Sequence, residues 1–313
     1  FQAGHFNDFV QTAVLRAALY AALKEHGELR HDRLARETAR FSGLRVRDVA
    51  KNPQLSEESP QAPEVWETFV ELLEYRLYQD LRRGWRVVQP NLEEVDLVRV
   101  DYRGLEEIAA NEGIWREIPG FADLSAEGRK QILQEFLDCF RKRGAIDAPI
   151  LREEELHRLE KRALQNLNEF WGIDPDGERL EAAKGLSPGP RTQLARLLGK
   201  TLEIPWERER VRVLHAVLDI LVQHDYLRLG KNRNGQPQYY LNAAVLVWRL
   251  AQDEPSSDAD RPKRRGARSP INLYFRSLYR EAAQELASFE AREHTAQVVA
   301  PGERFRRERR FRW

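Results

Sequence analysis

The stretch Val211–Leu241 reads VRVLHAVLDILVQHDYLRLGKNRNGQPQYYL, and it decides the fold of the second half of the chain. Val211, Leu214, Val217, Leu218 and Leu221 recur at the three- and four-residue spacing of an apolar helix face. That helix runs straight into Asp225-Tyr226-Leu227-Arg228-Leu229, and Gly230-Lys231-Asn232-Arg233-Asn234-Gly235 follows as a polar turn bounded by glycine. Gln238-Tyr239-Tyr240-Leu241 reads as the returning strand. Helix, strand, basic loop and strand is the order of a winged helix, whose helix before the hairpin can enter a major groove. If nucleic acid is bound here, Arg208, Arg212, Lys231 and Arg233 are expected to neutralise phosphates, because no base-reading pattern is spelled out. Many winged helices only pack against neighbours, so the order leaves a purely structural role open.

Upstream of this stretch the pattern is helical. Leu15, Leu19 and Leu23 sit four apart, with Gly27 as a terminating cap, and a second helix spans about His31 to Phe41. Lys51 to Pro63 reads as a linker or exposed loop, and the clearest helix follows, carrying Trp66, Phe69, Val70, Leu73, Leu77 and Leu81 up to Gly84. Leu97 to Tyr102 suggests a short strand. Ser125 is placed to cap a helix bearing Ile132, Leu133, Phe136, Leu137 and Phe140, and Leu156 to Phe170 marks one more. A short helix with Leu194, Leu197 and Leu198 precedes the quoted stretch. Downstream, a polar and basic linker leads to a helix from Ile271 through Leu286, a partly β-prone run Glu293–Val299, and an arginine-dense helix Glu303–Trp313.

Composition narrows the class. The 313 residues are about two domains' worth, and 42% hydrophobic residues suffice for real cores. No apolar run approaches the roughly 20 residues of a membrane helix, and the N-terminus lacks a signal-peptide pattern. Cys139 is the single cysteine, which excludes a disulfide framework and fits a reducing cytoplasm. Methionine is absent, and the chain stops inside a charged run, which reads as a segment cut from something longer. The net charge is only +1, yet Arg261–Trp313 holds 14 basic and 6 acidic residues while residues 1–260 hold 37 and 44. A basic end on an acidic body suggests a polyanion or an acidic domain as partner, or a solvated charged helix.

Catalytic signatures fail on inspection. Gly199-Lys200-Thr201 copies the end of a phosphate-binding loop, but Leu194 stands where its first glycine is required and no strand precedes it. Asp253-Glu254-Pro255-Ser256 lies in a linker, where an acidic magnesium-binding box would not be held. The seven histidines form no metal-ligand spacing, and Cys139 sits beside Phe136 and Phe140 as a buried, inert thiol.

Three stretches carry a resemblance. Tyr75-Arg76-Leu77 through Asp80-Leu81-Arg82-Arg83-Gly84-Trp85-Arg86 to Gln89-Pro90-Asn91-Leu92-Glu93 is the first, and the hairpin ending Tyr240-Leu241-Asn242-Ala243 is the second. Leu273-Tyr274-Phe275-Arg276-Ser277-Leu278-Tyr279 with Arg292-Glu293-His294-Thr295-Ala296-Gln297 is the third. Together they resemble the region between the two motor domains of large bacterial superfamily 2 helicases of the DEAD/DEAH type, a branch that includes phage-defence helicases. The resemblance implies a mainly α fold: a helical accessory domain over 1–175, a winged helix over 176–250, a basic linker over 251–269, and the start of a second RecA-like α/β motor domain over 270–313. It implies that His294, Thr295 and Gln297 lie on a strand edge facing nucleic acid. ATP and Mg2+ would be bound by motor domains outside this chain, since phosphoryl transfer needs a phosphate cradle, a metal-holding acid and an arginine finger.

The expected function is therefore a cytoplasmic, DNA-binding accessory region of an ATP-dependent helicase, with no cofactor and no catalysis of its own. Its partners would be DNA, the motor domains and, in a defence setting, a further protein, with no membrane. A self-contained winged-helix regulator and a protein-docking scaffold are the alternatives.

Overall fold

Ala13, Val14, Ala17, Ala18, Leu19, Ala22 and Leu23 are buried on more than one side of the first helix, so this helix has to sit inside the molecule. It is α1 (Ala3–His26), and Gly27 ends it at φ +72°, with its N–H on the Leu23 carbonyl. The computed structural model describes residues 3–82, 89–174, 179–232, 234–251, 271–282 and 285. Of the sequence expectations, Gly84, Arg233, the Asp253 box, and the segments 293–299 and 303–313 lie outside the described residues.

After α1 come β1 (Glu28–Arg30), α2 (His31–Phe41), α3 (Val46–Val49), α4 (Ala62–Asp80) and β2 (Val98–Tyr102). They are followed by α5 (Leu105–Ala110), α6 (Glu112–Trp115), α7 (Ala126–Lys142), β3 (Ile146–Asp147) and α8 (Glu153–Asn166). The remainder is α9 (Gln193–Thr201), α10 (Glu207–Gln223), β4 (Leu227–Lys231), β5 (Pro237–Asn242), β6 (Leu246–Leu250) and α11 (Leu273–Ser277), continued by a π-type turn Leu278–Ala282. The chain is thus mainly α, with two three-stranded sheets among the described residues.

Local chemistry accounts for most boundaries. Pro63 occupies the first turn of α4, where its missing N–H costs nothing. Ser125 caps α7 by accepting from the Gly128 N–H, and Asn272 caps α11 by accepting from Phe275. The expected helix from Leu156 to Phe170 stops earlier, at Asn166. Asn168 Oδ1 accepts from the N–H groups of Phe170 and Trp171, and this local turn competes with further helix.

The sheets cross large sequence distances. β6 lies between β1 and β2, antiparallel to both, with Trp248 opposite Leu29 and Val100. In the second sheet β5 lies between β4, antiparallel, and β3, parallel, with Ile146 opposite Leu241. Leu186 adds a bridge to Tyr239, each N–H reaching the other's carbonyl at 2.9 Å. α7 packs on α9 and α9 on α10. One continuous hydrophobic cluster takes residues from all these elements, on both sides of position 175.

Candidate nucleic-acid interface

Helix α10 buries Val213, Leu214, Val217, Leu218 and Leu221. Its opposite face exposes Arg208, Arg212, His215, Asp219 and Gln223, spaced three or four residues apart as one stripe along the helix. The stripe is basic at its N-terminal end and acidic further along. At the helix end Asp225 adopts φ +62°, in the left-handed region that Asp tolerates better than most residues. This reversal turns the chain from helix into strand, with the Tyr226 N–H on the Leu221 carbonyl and the Asn242 amide on the Asp225 carbonyl.

The hairpin pairs Leu227 with Leu241 and Lys231 with Pro237. Its turn is organised by Asn232, whose Oδ1 accepts from the Asn234 and Gln236 N–H groups at 2.9 Å each. Gly235 supplies the positive φ of +74° that closes the loop, donating to the Asn232 carbonyl. Tyr240 is held edge-on against two glycines: a Cβ on Gly185 would come 2.7 Å from its ring, and one on Gly230 3.1 Å. The glycines therefore let the segment around residue 185 and strand β4 close on the same ring.

Of the expected phosphate contacts, the structure places Arg208 and Arg212 on α10 and Lys231 at the end of β4. Arg208, Arg212 and Lys231 are all exposed. Arg212 approaches Glu209 at 3.7 Å, whereas Arg208 and Lys231 form no ion pair among the described residues. Arg233 lies outside the described residues, as do His294, Thr295 and Gln297. The surrounding charge is balanced. Arg208, Arg212, Arg228 and Lys231 are interleaved with Glu207, Glu209, Asp219 and Asp225, and Arg228 is bonded to Asp225 at 2.7 Å.

Trp206 was not among the expected site residues. It precedes Arg208 by two positions, forms the N-cap position of α10, and is 72% exposed. An aromatic ring beside cations can stack on an unpaired base. The only sequence signal is negative: Trp206 falls outside every apolar stripe. Leu229 is likewise 59% exposed on the edge strand β4.

Compared with known proteins, the chain matches no family model, no curated protein and no solved structure.

The chemistry that failed in the sequence has a structural explanation in one case. Gly199, Lys200 and Thr201 form the last turn of α9, not a loop. A Cβ on Gly199 would meet Arg210 Cδ at 2.2 Å, so the glycine admits the Arg210 side chain of α10 against α9. Cys139 is buried, and burial pushes its thiol up to about 11. Among the described residues no group of three His, Cys, Asp or Glu side chains is placed to hold a metal ion, and no helix is long and apolar enough to cross a membrane.

Proposed function

We propose that this chain is a nucleic-acid-binding accessory region built around a winged helix, acting within a larger ATP-dependent machine of the superfamily 2 helicase type. The observation that carries the reading is the exposed stripe of α10, opening with Arg208 and Arg212, beside a hairpin that presents Lys231. Three features support the winged-helix part. α7, α9 and α10 pack in series as three helices, α10 leads through a tight reversal into an antiparallel hairpin, and β3 with Leu186 adds a third strand to β5. The helicase part rests on the sequence resemblance, and the basic balance of residues 261–313 favours a polyanionic partner.

On this reading the N-terminal half of α10 faces a groove, with Arg208 and Arg212 on phosphates and Lys231 on the flanking backbone. Because acids interleave with these cations, binding by this face alone is weak. Three phosphate contacts correspond to a log–log salt slope of about −2 to −3. Fluorescence anisotropy with short duplex and single-stranded DNA over a salt series tests this. Arg208→Glu with Lys231→Glu should lower affinity by roughly tenfold or more, since each charge-assisted contact is worth about 1.5–3 kcal/mol. Binding that is flat in salt, or unaltered by these reversals, removes the reading and favours a docking scaffold.

A further inference from the structure

A strongly unbalanced basic feature lies in a cleft that the exposed stripe of α10 does not line. A cleft of about 380 Å3 opens between the end of α7, the segment 185–192 and the start of α9. Arg143, Arg191 and Arg196 line it, and no carboxylate does. Arg143 bonds only to the Gln193 side-chain oxygen, at 2.8 and 3.0 Å, while the Arg191 and Arg196 side chains make no hydrogen bond or ion pair among the described residues. Surface arginines in this chain are commonly matched, as Arg36 is by Glu67 and Arg249 by Glu28. Three guanidinium groups around one concavity without a compensating acid repel one another, and an anion entering the cleft would relieve that repulsion.

The rest of the wall is suited to a ligand larger than an inorganic ion. Leu186, Leu194 and Cys139 supply apolar surface, and Leu194 and Cys139 are buried beneath it. Ser187 adds a hydroxyl. The wall is also tied down: Leu186 is bridged to Tyr239 of β5, and Gly185 closes on the Tyr240 ring. A smaller cavity of about 80 Å3 shares Arg143 with the cleft; Lys184 lines it with no ion pair among the described residues, and the acid present, Glu181, is matched by Arg82 at 3.4 Å. Apolar floor, cationic rim and a volume within the roughly 300–1,000 Å3 of small-molecule sites together fit a phosphorylated ligand of nucleotide size.

We infer that this cleft binds a phosphate group carried on a nucleoside, with Arg143, Arg191 and Arg196 as the cations that hold it. The phosphate can come from a free nucleotide or from a nucleic-acid strand. The site does not depend on the α10 reading, since it lies on the β5 side of the hairpin and not on the edge strand β4 that carries Lys231.

Isothermal titration of the full chain with inorganic phosphate, adenosine monophosphate and a short 5′-phosphorylated single-stranded oligonucleotide tests the inference. At least one nucleoside-bearing probe should bind more tightly than phosphate alone. Arg191→Ala with Arg196→Ala should weaken that binding by roughly tenfold or more. Arg191→Lys with Arg196→Lys should restore part of it. Both arginines are exposed and unpaired, so unchanged melting temperatures are expected and would separate lost binding from lost folding. Adenosine monophosphate binding as well as the oligonucleotide indicates a free nucleotide as the source, and oligonucleotide binding alone indicates a strand. The inference is overturned if no nucleoside-bearing probe binds, or if the double alanine variant binds as the parent does. Arg208→Glu, which disables the α10 face, should leave adenosine monophosphate binding unchanged, together with the part of oligonucleotide binding that the double alanine variant removes, so the two readings fail separately.

Discussion

Arg16 and Tyr279, 263 positions apart, meet in the interior, where Arg16 Nη1 donates to the Tyr279 hydroxyl at 2.8 Å. The same guanidinium grips Asp80 in a fork, Nε at 3.1 Å and Nη2 at 2.7 Å, and Nη1 also donates to the Pro90 carbonyl at 2.8 Å. The Tyr279 hydroxyl then donates its own proton to the Pro90 carbonyl at 3.0 Å. One arginine of α1 therefore gathers the end of α4, the loop after it, and the helical segment 273–282. Asp80 and Pro90 fall in the first stretch that carries the helicase resemblance, and Tyr279 in the third.

This arrangement makes Arg16 more costly to lose than Tyr279. Arg16 is 3% exposed, and removing it leaves the Asp80 carboxylate without its partner in a largely buried place. Arg16→Leu should destabilise by about 3–5 kcal/mol, the range for breaking a buried pair from one side. Tyr279→Phe removes one hydroxyl and should cost about 1–2 kcal/mol. Urea denaturation of both single variants and of the Arg16→Leu/Asp80→Leu double variant measures this. The double variant should be more stable than Arg16→Leu alone, and a double variant that is still less stable would refute the pair as the origin of the cost.

His31 gives the chain an acid-sensitive point. Trp248 Nε1 donates to His31 Nδ1 at 3.0 Å, so the ring carries its proton on Nε2, and that nitrogen is buried with no partner among the described residues. The ring stacks on Tyr78 at 3.9 Å. Burial lowers its pKa from 6.5 to about 3. The unfolded chain therefore binds more protons at His31 below pH 6.5. The stability this residue contributes is complete above 6.5 and is lost as pH falls toward 3, with a slope of about 1.4 kcal/mol per pH unit. Unfolding free energies between pH 7 and 5 should fall more steeply for the parent than for His31→Asn. Equal slopes in the two proteins would show that His31 is not the titrating group.

Which features were legible follows from how local their causes are. The helix His31–Phe41, the cap at Ser125 and the helix–hairpin order after Glu207 come from neighbours in sequence, so periodicity and turn residues expose them. Leu246–Leu250 follows the hairpin and falls within the winged-helix bounds expected from sequence, yet it pairs with Glu28–Arg30 and Val98–Tyr102. A three-residue partner strand carries no periodicity of its own. β3 is shorter still, at two residues, and is held by β5 across the fold. The exposed cations Arg208, Arg212 and Lys231 could be named as candidates from sequence because they flank a recognisable element. The cleft could not, because Arg143 ends one helix and Arg191 precedes another, separated by β3, α8 and the segment after it.

Glu74 works in the opposite direction from His31. Desolvation first, then the neighbouring Glu71, Asp32 and Glu67, raise its pKa from 4.5 to about 7. Glu67 and Glu71 are matched by Arg36 and Arg162, whereas Glu74 has no cation bonded to it among the described residues. A carboxyl whose folded pKa is raised binds its proton more tightly when folded. Its contribution is complete below 4.5 and is lost as pH rises through 7. Glu74→Gln should therefore stabilise the protein by about 1–3 kcal/mol at pH 8 and by little at pH 4.5. Melting temperatures at the two pH values read this, and a gain of equal size at both would assign it to something other than ionisation.

The packing of Gly199 against Arg210 distinguishes a helix contact from a phosphate loop. If the Gly199 backbone cradled a ligand, Gly199→Ala would change binding whatever occupies position 210. The structure instead places Arg210 Cδ 2.2 Å from where the new Cβ would stand, and Arg210 Nε is already buried with no partner among the described residues. Gly199→Ala should then destabilise by about 1–3 kcal/mol through overpacking, a cost partly offset by alanine's better helix propensity. In an Arg210→Ala background the obstruction is gone and the propensity gain of up to about 1 kcal/mol remains, so the same substitution should become neutral or stabilising. A double-mutant cycle on unfolding free energies gives the coupling directly. Additive effects at the two positions would mean that α9 and α10 do not meet through this pair.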